Sequence, residues 1–393
     1  MMRTNHTRAW IFAVAFALAG AFAAGPSQAQ SCLPSARTSE KASASQRDYV
    51  FDTTGHAVDA RGVTWSDVRD HVLFLDGGAD GCWNGGRIDG PYPEDAVYEC
   101  SSENGYTGGT CWDYHTTAGM APNDGQRTIE DVHMKDYGDG ISVESGSDDI
   151  VGRRIWFENL HDDAMESDYA QQSLGCDDCL FDKVFIGLAY NRRSSASGNT
   201  PKAGVTMELR DSLMRLHRFT HSYKEKAGHG GVFKDDDGFS PDFIVTNNVF
   251  LLGPVAGSGQ VQFPLIGHVR ECAGNTLLWQ GTQSAFDSML STGSAFDGAS
   301  NGERLDWLNR TFNNCYTVIV KPAGQSAADF LAQRWDPRVR DWKAAHAAAG
   351  GTPAPDPDPA PDPDPVPDPD PVPDPDPVPD PVPGAPMEPI LLP

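Results

Sequence analysis

Basic residues are scarce in this chain. Lysine and arginine number 30 against 55 aspartates and glutamates, so the formal net charge is −25 over 393 residues. The segment after residue 350 contributes −10 and the first 29 residues contribute +2, which leaves −17 for the body. An acidic body argues against nucleic acid as a partner, because phosphate backbones are bound through basic surfaces. It would also repel a polyuronate unless a cation such as calcium lay between them, and solubility in a salty medium explains the charge equally well.

Several motifs for nucleotides and metals are missing. The sequence has no phosphate-binding Walker loop, no dinucleotide-binding glycine fingerprint and no His-Glu-x-x-His pair, which argues against nucleotide-dependent and zinc-peptidase chemistry. Cys176 and Cys179 form a lone Cys-x-x-Cys, whereas a zinc site needs a second pair nearby. No strand–helix–strand pattern surrounds them, so we predict a local disulfide rather than redox catalysis.

Only one long apolar run occurs, and it lies near the N-terminus. Ala9–Ala24 follows Arg3 and Arg8 and precedes Ser27-Gln28-Ala29, a small-x-small cleavage pattern. Residues 1–29 are therefore predicted to be a secretory signal peptide, and the run is too short to predict a membrane span. We expect a secreted or periplasmic protein with no membrane span. Because that compartment is oxidising, its eight cysteines are expected to form disulfides.

A repeat of about 23 residues organises the middle of the chain. Val132 and Met134 match Ile155 and Phe157 at an offset of 23. Ile141 and Val143 match Met165 and Ser167 at an offset of 24, with one residue inserted near Asp162 and Asp163. Each copy holds two short alternating runs separated by Gly, Asp and Asn, which predicts two strands and a corner. One copy cannot bury its own apolar face, so the pattern predicts an all-β solenoid of stacked copies with a shared core.

The first repeat carries a resemblance to known proteins. The run Cys82-Trp-Asn-Gly-Gly-Arg-Ile-Asp-Gly90, together with the repeats that follow, resembles the first coil of a right-handed parallel β-helix of the pectin-lyase-like superfamily. The resemblance covers roughly residues 72–320 and implies an all-β, right-handed parallel β-helix. It leaves the substrate open, because that superfamily includes lyases, hydrolases, epimerases and phage tailspikes.

The flanking segments complete the predicted organisation. Residues 30–71 are expected to be a polar N-terminal segment and cap, and residues 72–325 the β-helix. Residues 326–350 predict a helix that Ser326 can cap and Pro337 can break in two, with an apolar face that covers the open end of the solenoid. In residues 351–393 proline recurs at alternate positions between aspartates, which forbids helix and sheet and predicts a disordered, extended spacer.

Asparagines and cysteines are given structural roles. The asparagines that recur before the second strand of a repeat are Asn159, Asn248, Asn275 and Asn314. At a corner, a small polar side chain tolerates left-handed backbone and can bond to its stacked neighbours, so we predict a structural ladder. The predicted disulfides are Cys176–Cys179, Cys100–Cys111 and Cys272–Cys315, which leaves Cys32–Cys82 by elimination.

Carboxylates gather on the predicted second strand of the second repeat. Met165 and Ser167 are inward in the repeat alignment, so the intervening Glu166 points outward. The catalytic candidates are Glu166, Asp168, Asp162 and Asp163, with Glu144 as a substrate-binding neighbour on the preceding copy. Separations of about 5–7 Å suit an acid and a base or nucleophile on either side of a glycosidic bond, and crowding raises the pKa of one carboxyl. The alternatives are a calcium site and a solvated acidic ladder.

Basic residues concentrate in one later stretch. They are His217, His221, Lys224, Lys226, His229 and Lys234. Gly228-His229-Gly230 resembles the Gly-His-Gly motif of the polygalacturonase-type glycoside hydrolases, and Asp162-Asp163 resembles their paired aspartates, which makes His229 and Lys234 catalytic candidates. The same bases could instead neutralise a uronate and abstract its proton, as lyase chemistry requires. No cofactor is certain; calcium could bind at Asp162, Asp163, Asp235 and Asp237.

Residues 91–123 interrupt the repeats with a long stretch rich in glycine and aromatic residues. Loops of this length in compact folds are usually functional or disordered, and a Cys100–Cys111 disulfide would favour order. Trp112 and Tyr114 from this stretch, with His161 and Lys224, are therefore predicted to bind substrate.

Two functions of different classes are consistent with these patterns. The first is an exported, monomeric enzyme that cleaves a polysaccharide, with hydrolysis preferred because an acidic body suits a neutral glycan better than a polyuronate. Its variant is a calcium-assisted polysaccharide lyase that uses His229 and Lys234. The second is a non-catalytic carbohydrate-binding or surface-attached β-helix protein. The carboxylates, the segregated bases and the aromatic stretch favour the enzyme.

Overall fold

The computed structural model describes about half of the chain. The described residues are 31–33, 39–41, 43, 49–50, 57–68, 72–74, 81–94, 117–121, 127–143, 149–167, 173–190, 204–219, 230–235, 241–253, 268–292 and 313–347. The predicted signal peptide and the predicted Pro/Asp tail both lie outside these residues. No helix among them is long and apolar enough to cross a membrane.

The described residues form two sheets in which every paired strand is parallel, and few helices. We number the strands in chain order. The first sheet contains, from one edge to the other, β1 (Ser39–Lys41), β3 (Ala57–Asp59), β6 (Gly81–Asn84), β9 (Arg127–Glu130), β12 (Ile150–Arg153), β14 (Leu174–Asp177), β16 (Thr206–Arg210), β19 (Asp242–Thr246) and β21 (Val269–Ala273). Because neighbours in this sheet are never consecutive in the chain, each connection passes through the second sheet.

The second sheet has fourteen strands. They are β2 (Tyr49–Val50), β4 (Thr64–Ser66), β5 (Leu73–Phe74), β7 (Arg87–Asp89), β8 (Thr117–Ala121), β10 (His133–Tyr137), β11 (Asp139–Val143), β13 (Trp156–Ser167), β15 (Leu180–Tyr190), β17 (Leu213–Leu216), β18 (Phe233–Asp235), β20 (Val249–Leu252), β22 (Asn275–Trp279) and β23 (Tyr316–Val320). The long strands β13 and β15 join its two branches: β13 pairs with β10 through its first half and with β11 through its second.

The predicted repeat register is confirmed. Met134 lies opposite Phe157 at an offset of 23, and Ile141 lies opposite Met165 at an offset of 24. The inserted residue appears as a register shift between Leu160 and Asp163, where β13 pairs with β15. Paired strands also occur before residue 72, since β3 pairs with β6 and β4 pairs with β7. The parallel pairing therefore begins earlier than the predicted boundary.

A row of large apolar side chains fills the space behind the second sheet. Successive register partners in this row are Met134, Phe157, Phe181, Met214 and Phe250, all fully buried. The rings of Phe157 and Phe181 stack with centroids 5.0 Å apart. Each fully buried side chain of this size contributes about 1.5–3 kcal/mol relative to an exposed one, so the row stabilises the stacking of the strands.

The corner asparagines only partly match their predicted role. Asn159 has left-handed backbone, with φ of 53°, and donates a hydrogen bond to Asp136 Oδ1 at 2.9 Å. For Asn248 and Asn275 the left-handed position belongs to the preceding residue, Asn247 or Gly274, so that part of the prediction was wrong. Their side chains are buried and do form a ladder, in which Asn248 donates its backbone N–H to Asn275 Oδ1 at 3.0 Å.

Three of the four predicted disulfides lie within the described residues, and all three are formed. They are Cys32–Cys82, Cys176–Cys179 and Cys272–Cys315. The first ties the start of the described chain to β6, and the second closes a corner between β14 and β15. The predicted Cys100–Cys111 pair lies outside the described residues.

The described helices lie near the C-terminal end of the strands, two between β22 and β23 and two after β23. They are α1 (Gln283–Thr292), a single turn at Asn313–Cys315, α2 (Ala327–Arg334) and α3 (Asp336–Ala345). The break predicted at Pro337 is present, and Ser326 caps α2 by accepting the Asp329 backbone N–H at 3.0 Å.

Helices α2 and α3, which we call the outer helices, do not take the predicted place over an open end. Phe330, Trp335 and Trp342 pack instead on apolar side chains along the outer face of the second sheet, among them Leu180 and Leu251. Because these sheet residues belong to strands several repeats apart, the outer helices lie along the side of the stack. Without these helices, the apolar residues on this face of the sheet would be exposed to solvent, which explains why the helices pack on them.

Removal of the Trp342 side chain is expected to weaken this packing. The indole is largely buried and donates from Nε1 to the Asp178 carbonyl at 3.1 Å. Trp342→Ala should lower the free energy of unfolding by about 3 kcal/mol, measured by urea denaturation. Trp342→Phe keeps most of the cover and should cost only about 1 kcal/mol for the lost hydrogen bond. An unchanged midpoint for Trp342→Ala would show that the outer helices are not part of the cooperative fold.

Candidate functional site

Four carboxylates converge where β11 and β13 lie side by side. Asp139 begins β11, while Asp162, Asp163 and Glu166 lie in the second half of β13. The Asp163 backbone N–H donates to Asp139 Oδ1 at 3.0 Å. Carboxylate oxygens of Asp139, Asp163 and Glu166 all lie within 4.8 Å of one another. We call these four residues, together with Lys234, the carboxylate–lysine site.

The irregularity in β13 creates this convergence. In a regular strand, adjacent side chains point to opposite faces of the sheet. At a register shift, two adjacent side chains can point to the same face. The shift lies between Leu160 and Asp163, and Asp162 and Asp163 are both buried. Opposite them, Gly140 allows β11 to approach closely, because a Cβ there would collide with the Ala164 carbonyl.

Lys234 reaches the carboxylates from two strands away. In the register of the second sheet, Glu166 lies opposite Ala189, and Ala189 lies opposite Lys234. The Lys234 ammonium extends back to 2.8 Å from Asp163 Oδ2 and 3.8 Å from Glu166 Oε1. A methyl group at Ala189 leaves room for this path, which a larger side chain would fill.

Charge and burial set the protonation of the site. Burial raises the pKa of Asp139 well above its usual range, and the nearby charges of Asp162 and Asp163 raise it further. Burial alone would lower the pKa of Lys234, but the charges of Asp163, Asp162 and Glu166 outweigh it and raise that pKa. The site therefore combines a carboxyl group that holds its proton more tightly than usual with an amine that stays protonated at neutral pH.

The residues of the site differ in their access to solvent. The Asp163 side chain is fully buried, whereas 14% of the Glu166 side chain and 23% of the Lys234 side chain are exposed. A ligand from solvent therefore meets Glu166 and Lys234 first. Asp163 acts behind them, through its ion pair with Lys234 and its backbone hydrogen bond to Asp139.

His161 has a structural environment rather than the predicted substrate-binding one. It is fully buried, its Nε2 lies 3.2 Å from the Tyr92 carbonyl, and its ring stacks on Phe219. Burial lowers its pKa to about 4, so it is neutral at pH 7. Because its side chain exposes no surface, His161 holds the chain near Tyr92 in place and does not contact a substrate from solvent.

His217 lies in a separate ion-pair group. Its Nε2 is 2.8 Å from Glu94 Oε1, and the other oxygen of Glu94 lies 2.5 Å from Lys183 Nζ. Burial lowers the pKa of His217 to about 4, although the charge of Glu94 opposes that shift. This group connects the segment that follows β7 to the region of β15 and β17.

The structure brings together some of the predicted site residues. Glu166, Asp162, Asp163 and Lys234 meet as described above. The remaining candidates lie outside the described residues, or have no described side chain, and stay predictions: Glu144, Asp168, His229, Lys224, Trp112, Tyr114, Asp235 and Asp237. Among the described side chains, the carboxylates whose oxygens lie close enough for one calcium ion are Asp139, Asp163 and Glu166. This set shares only Asp163 with the predicted one.

Asp139 is the site residue that sequence reasoning missed. It precedes Asp163 by 24 residues, the same offset that relates Ile141 to Met165. The repeat alignment, extended by two residues towards the N-terminus, would have placed these two aspartates side by side. The 24-residue offset therefore related the two aspartates in the sequence, but only apolar positions were compared at that offset.

Comparison of the chain with protein-family models, with curated proteins and with solved structures finds no match in any of the three.

Proposed function

We propose that the alternating sheets form a right-handed parallel β-helix and that the carboxylate–lysine site on it hydrolyses glycosidic bonds of an extracellular polysaccharide. The observation that carries the proposal is the pairing of Asp139, whose pKa is raised, with the partly exposed Glu166 less than 5 Å away. Glycoside hydrolysis needs one protonated and one ionised carboxyl group near the scissile bond.

The chemistry assigns a role to each group. The Asp139 carboxyl donates its proton to the glycosidic oxygen as the bond from that oxygen to the anomeric carbon breaks. The Glu166 carboxylate attacks the anomeric carbon, because so short a separation is that of a retaining enzyme. Water then displaces Glu166 from that carbon and gives its proton to the Asp139 carboxylate. Water supplies the hydroxyl of the new reducing end and one proton, so the catalytic groups return to their starting state. Lys234 holds Asp163 in position through the contact from Nζ to Oδ2.

Cleavage of the glycosidic bond by β-elimination, the reaction of a polysaccharide lyase, is less favoured than hydrolysis. It requires a neutral base to abstract a proton next to a uronate carboxyl group. Lys234 is a poor base because its ion pair with Asp163 keeps it protonated. A uronate would also meet the partly exposed carboxyl group of Glu166 before the buried residues of the site. The predicted role of Lys234 in a calcium-assisted lyase is therefore not adopted, and His229 remains untested.

The proposal is tested by screening the full-length protein against neutral and uronic polysaccharides. Reducing ends should appear without the ultraviolet absorbance of unsaturated products. Glu166→Gln should lower the rate by about 10²–10⁴-fold, as expected for loss of a catalytic acid or base. The matched control is Glu208→Gln, a glutamate of the first sheet that pairs with Arg210 and should leave the rate unchanged.

Other outcomes have distinct meanings. Unsaturated products would replace hydrolysis with lyase chemistry. Binding to a polysaccharide with no cleavage would favour a non-catalytic carbohydrate-binding protein. Cleavage by Glu166→Gln at the wild-type rate would remove the site described here from the mechanism.

A further inference from the structure

The carboxylate–lysine site has the dimensions of a divalent-cation site. Calcium binds oxygens at about 2.3–2.6 Å, so ligand oxygens on opposite sides of one ion are about 5 Å apart. The oxygens of Asp139, Asp163 and Glu166, at most 4.8 Å from one another, fit around a single ion of that size. Three carboxyl groups from two neighbouring strands are thus already arranged as ligands.

A second observation shows that this arrangement lacks a contact. The Asp163 side chain is fully buried, and its Oδ1 has no hydrogen-bond partner in the described part of the chain. A buried carboxylate oxygen without a donor or a cation is costly. The only described cation bound to Asp163 is the Lys234 ammonium, which contacts the other oxygen, Oδ2.

Lys234 lies where such an ion would be attracted. Its Nζ is within ion-pair distance of both Asp163 and Glu166, two of the three ligand residues. It arrives from β18, a strand that is not adjacent to β13, so its long side chain is what places the charge there. An ammonium and a calcium ion cannot both lie among these oxygens, because like charges at about 3–4 Å repel strongly in a partly buried site.

We infer that the Lys234 ammonium takes the place of a divalent cation in this cluster and keeps calcium from binding to Asp139, Asp163 and Glu166. Removal of that charge opens a calcium site. The inference does not depend on glycan cleavage, since it concerns only which cation neutralises these carboxylates.

The experiment compares wild type with Lys234→Met, which removes the ammonium and keeps an unbranched side chain. Both full-length proteins are stripped with a chelator, and their melting temperatures are measured with and without calcium. Calcium should raise the melting temperature of Lys234→Met by at least ~2 °C, because an ion that binds only the folded state stabilises it. Wild type should shift by less, and its calcium affinity from isothermal titration should be at least ~10-fold weaker.

Two further variants locate the effect. Lys234→Met combined with Glu166→Gln should lose the calcium response, because one ligand is gone. Lys343→Met removes a lysine that lies 3.5 Å from Asp182, where no three carboxylates converge in the described residues, and should gain no calcium response.

Three results would overturn the inference. One is a calcium shift in wild type equal to that of Lys234→Met. Another is a calcium response of Lys234→Met that survives Glu166→Gln. The last is a Lys234→Met protein that cannot be recovered folded with or without calcium while Lys234→Arg folds normally, since calcium would then not substitute for the lost charge.

Discussion

Asp139→Asn is expected to abolish most turnover while leaving the protein at least as stable as wild type at neutral pH. The asparagine amide cannot donate an acid proton to a leaving group, so the rate should fall by about 10²–10⁴-fold. Its carbonyl oxygen can still accept the Asp163 backbone N–H that Asp139 Oδ1 now accepts. Structure and chemistry are therefore separable at this position.

The pH dependence of stability gives the second readout for this variant. Burial raises the pKa of Asp139 above the ordinary value of about 3.9. The protonated carboxyl group of wild type therefore makes its full contribution to the free energy of unfolding below about pH 4. As pH rises through the folded-state pKa, that contribution is lost. An amide does not titrate, so Asp139→Asn should gain stability relative to wild type between pH 4 and neutral pH, as measured by urea denaturation.

The matched control is Asp177→Asn in the first sheet. Burial also raises the pKa of Asp177, but this residue lies on β14, away from the carboxylate–lysine site. It should keep full activity. Near wild-type turnover by Asp139→Asn would show that Asp139 is not the proton donor, and a loss of stability that grows with pH would show that the fold uses its charged form.

Lys234→Met is expected to have the largest effect on stability of any single change at the site. It removes the ammonium that lies 2.8 Å from the fully buried Asp163 carboxylate and leaves that charge uncompensated. Breaking a buried ion pair in this way costs about 3–5 kcal/mol, and the partial exposure of Lys234 places the expected value near 3 kcal/mol. Chemical denaturation in calcium-free buffer measures it.

The sign of the lysine pKa shift sets the pH range of this effect. The folded-state pKa of Lys234 is raised, so its contribution is complete below the unfolded value of about 10.4 and is lost only at higher pH. The difference between wild type and Lys234→Met should therefore not shrink between pH 6 and pH 9. A difference that disappears within that range would mean that the lysine is neutral in the folded protein.

Lys183→Met provides the comparison for an exposed pair. Lys183 and Glu94 are both partly exposed, and solvent screens their interaction. Loss of this pair should cost less than about 1 kcal/mol. An equal cost for both lysine variants would contradict the view that burial of Asp163 makes the Lys234 pair strong.

The regular part of the fold was readable in the sequence. The 23- and 24-residue offsets predicted which strands pair and in which register, because one face of each strand must be buried and a slip by one residue would expose it. The same alternation predicted that Glu166 faces outward between the buried Met165 and Ser167. Among the cysteine pairs within the described residues, the spacing of Cys176 and Cys179 predicted their disulfide, whereas Cys32–Cys82 was predicted only by elimination.

Other features needed the three-dimensional arrangement. The outer helices were predicted as helices, but their position was wrong because an apolar helix face does not specify which of two exposed apolar surfaces it covers. His161, which directly precedes Asp162 and Asp163 in the chain, was predicted to bind substrate. Its burial against Phe219 and the Tyr92 carbonyl could not be deduced from that neighbourhood.

The amino-acid sequence by itself determined the repeat, the pairing of β10, β11 and β13, and the outward direction of Glu166, since these follow from a period of two along strands that share a core. Only the tertiary structure decided that Lys234 neutralises Asp163. These residues are 71 positions apart, and their contact depends on a register shift in β13, a methyl group at Ala189 and a strand that pairs beyond it. No local sequence pattern predicts this contact, because it requires all three of these packing features together.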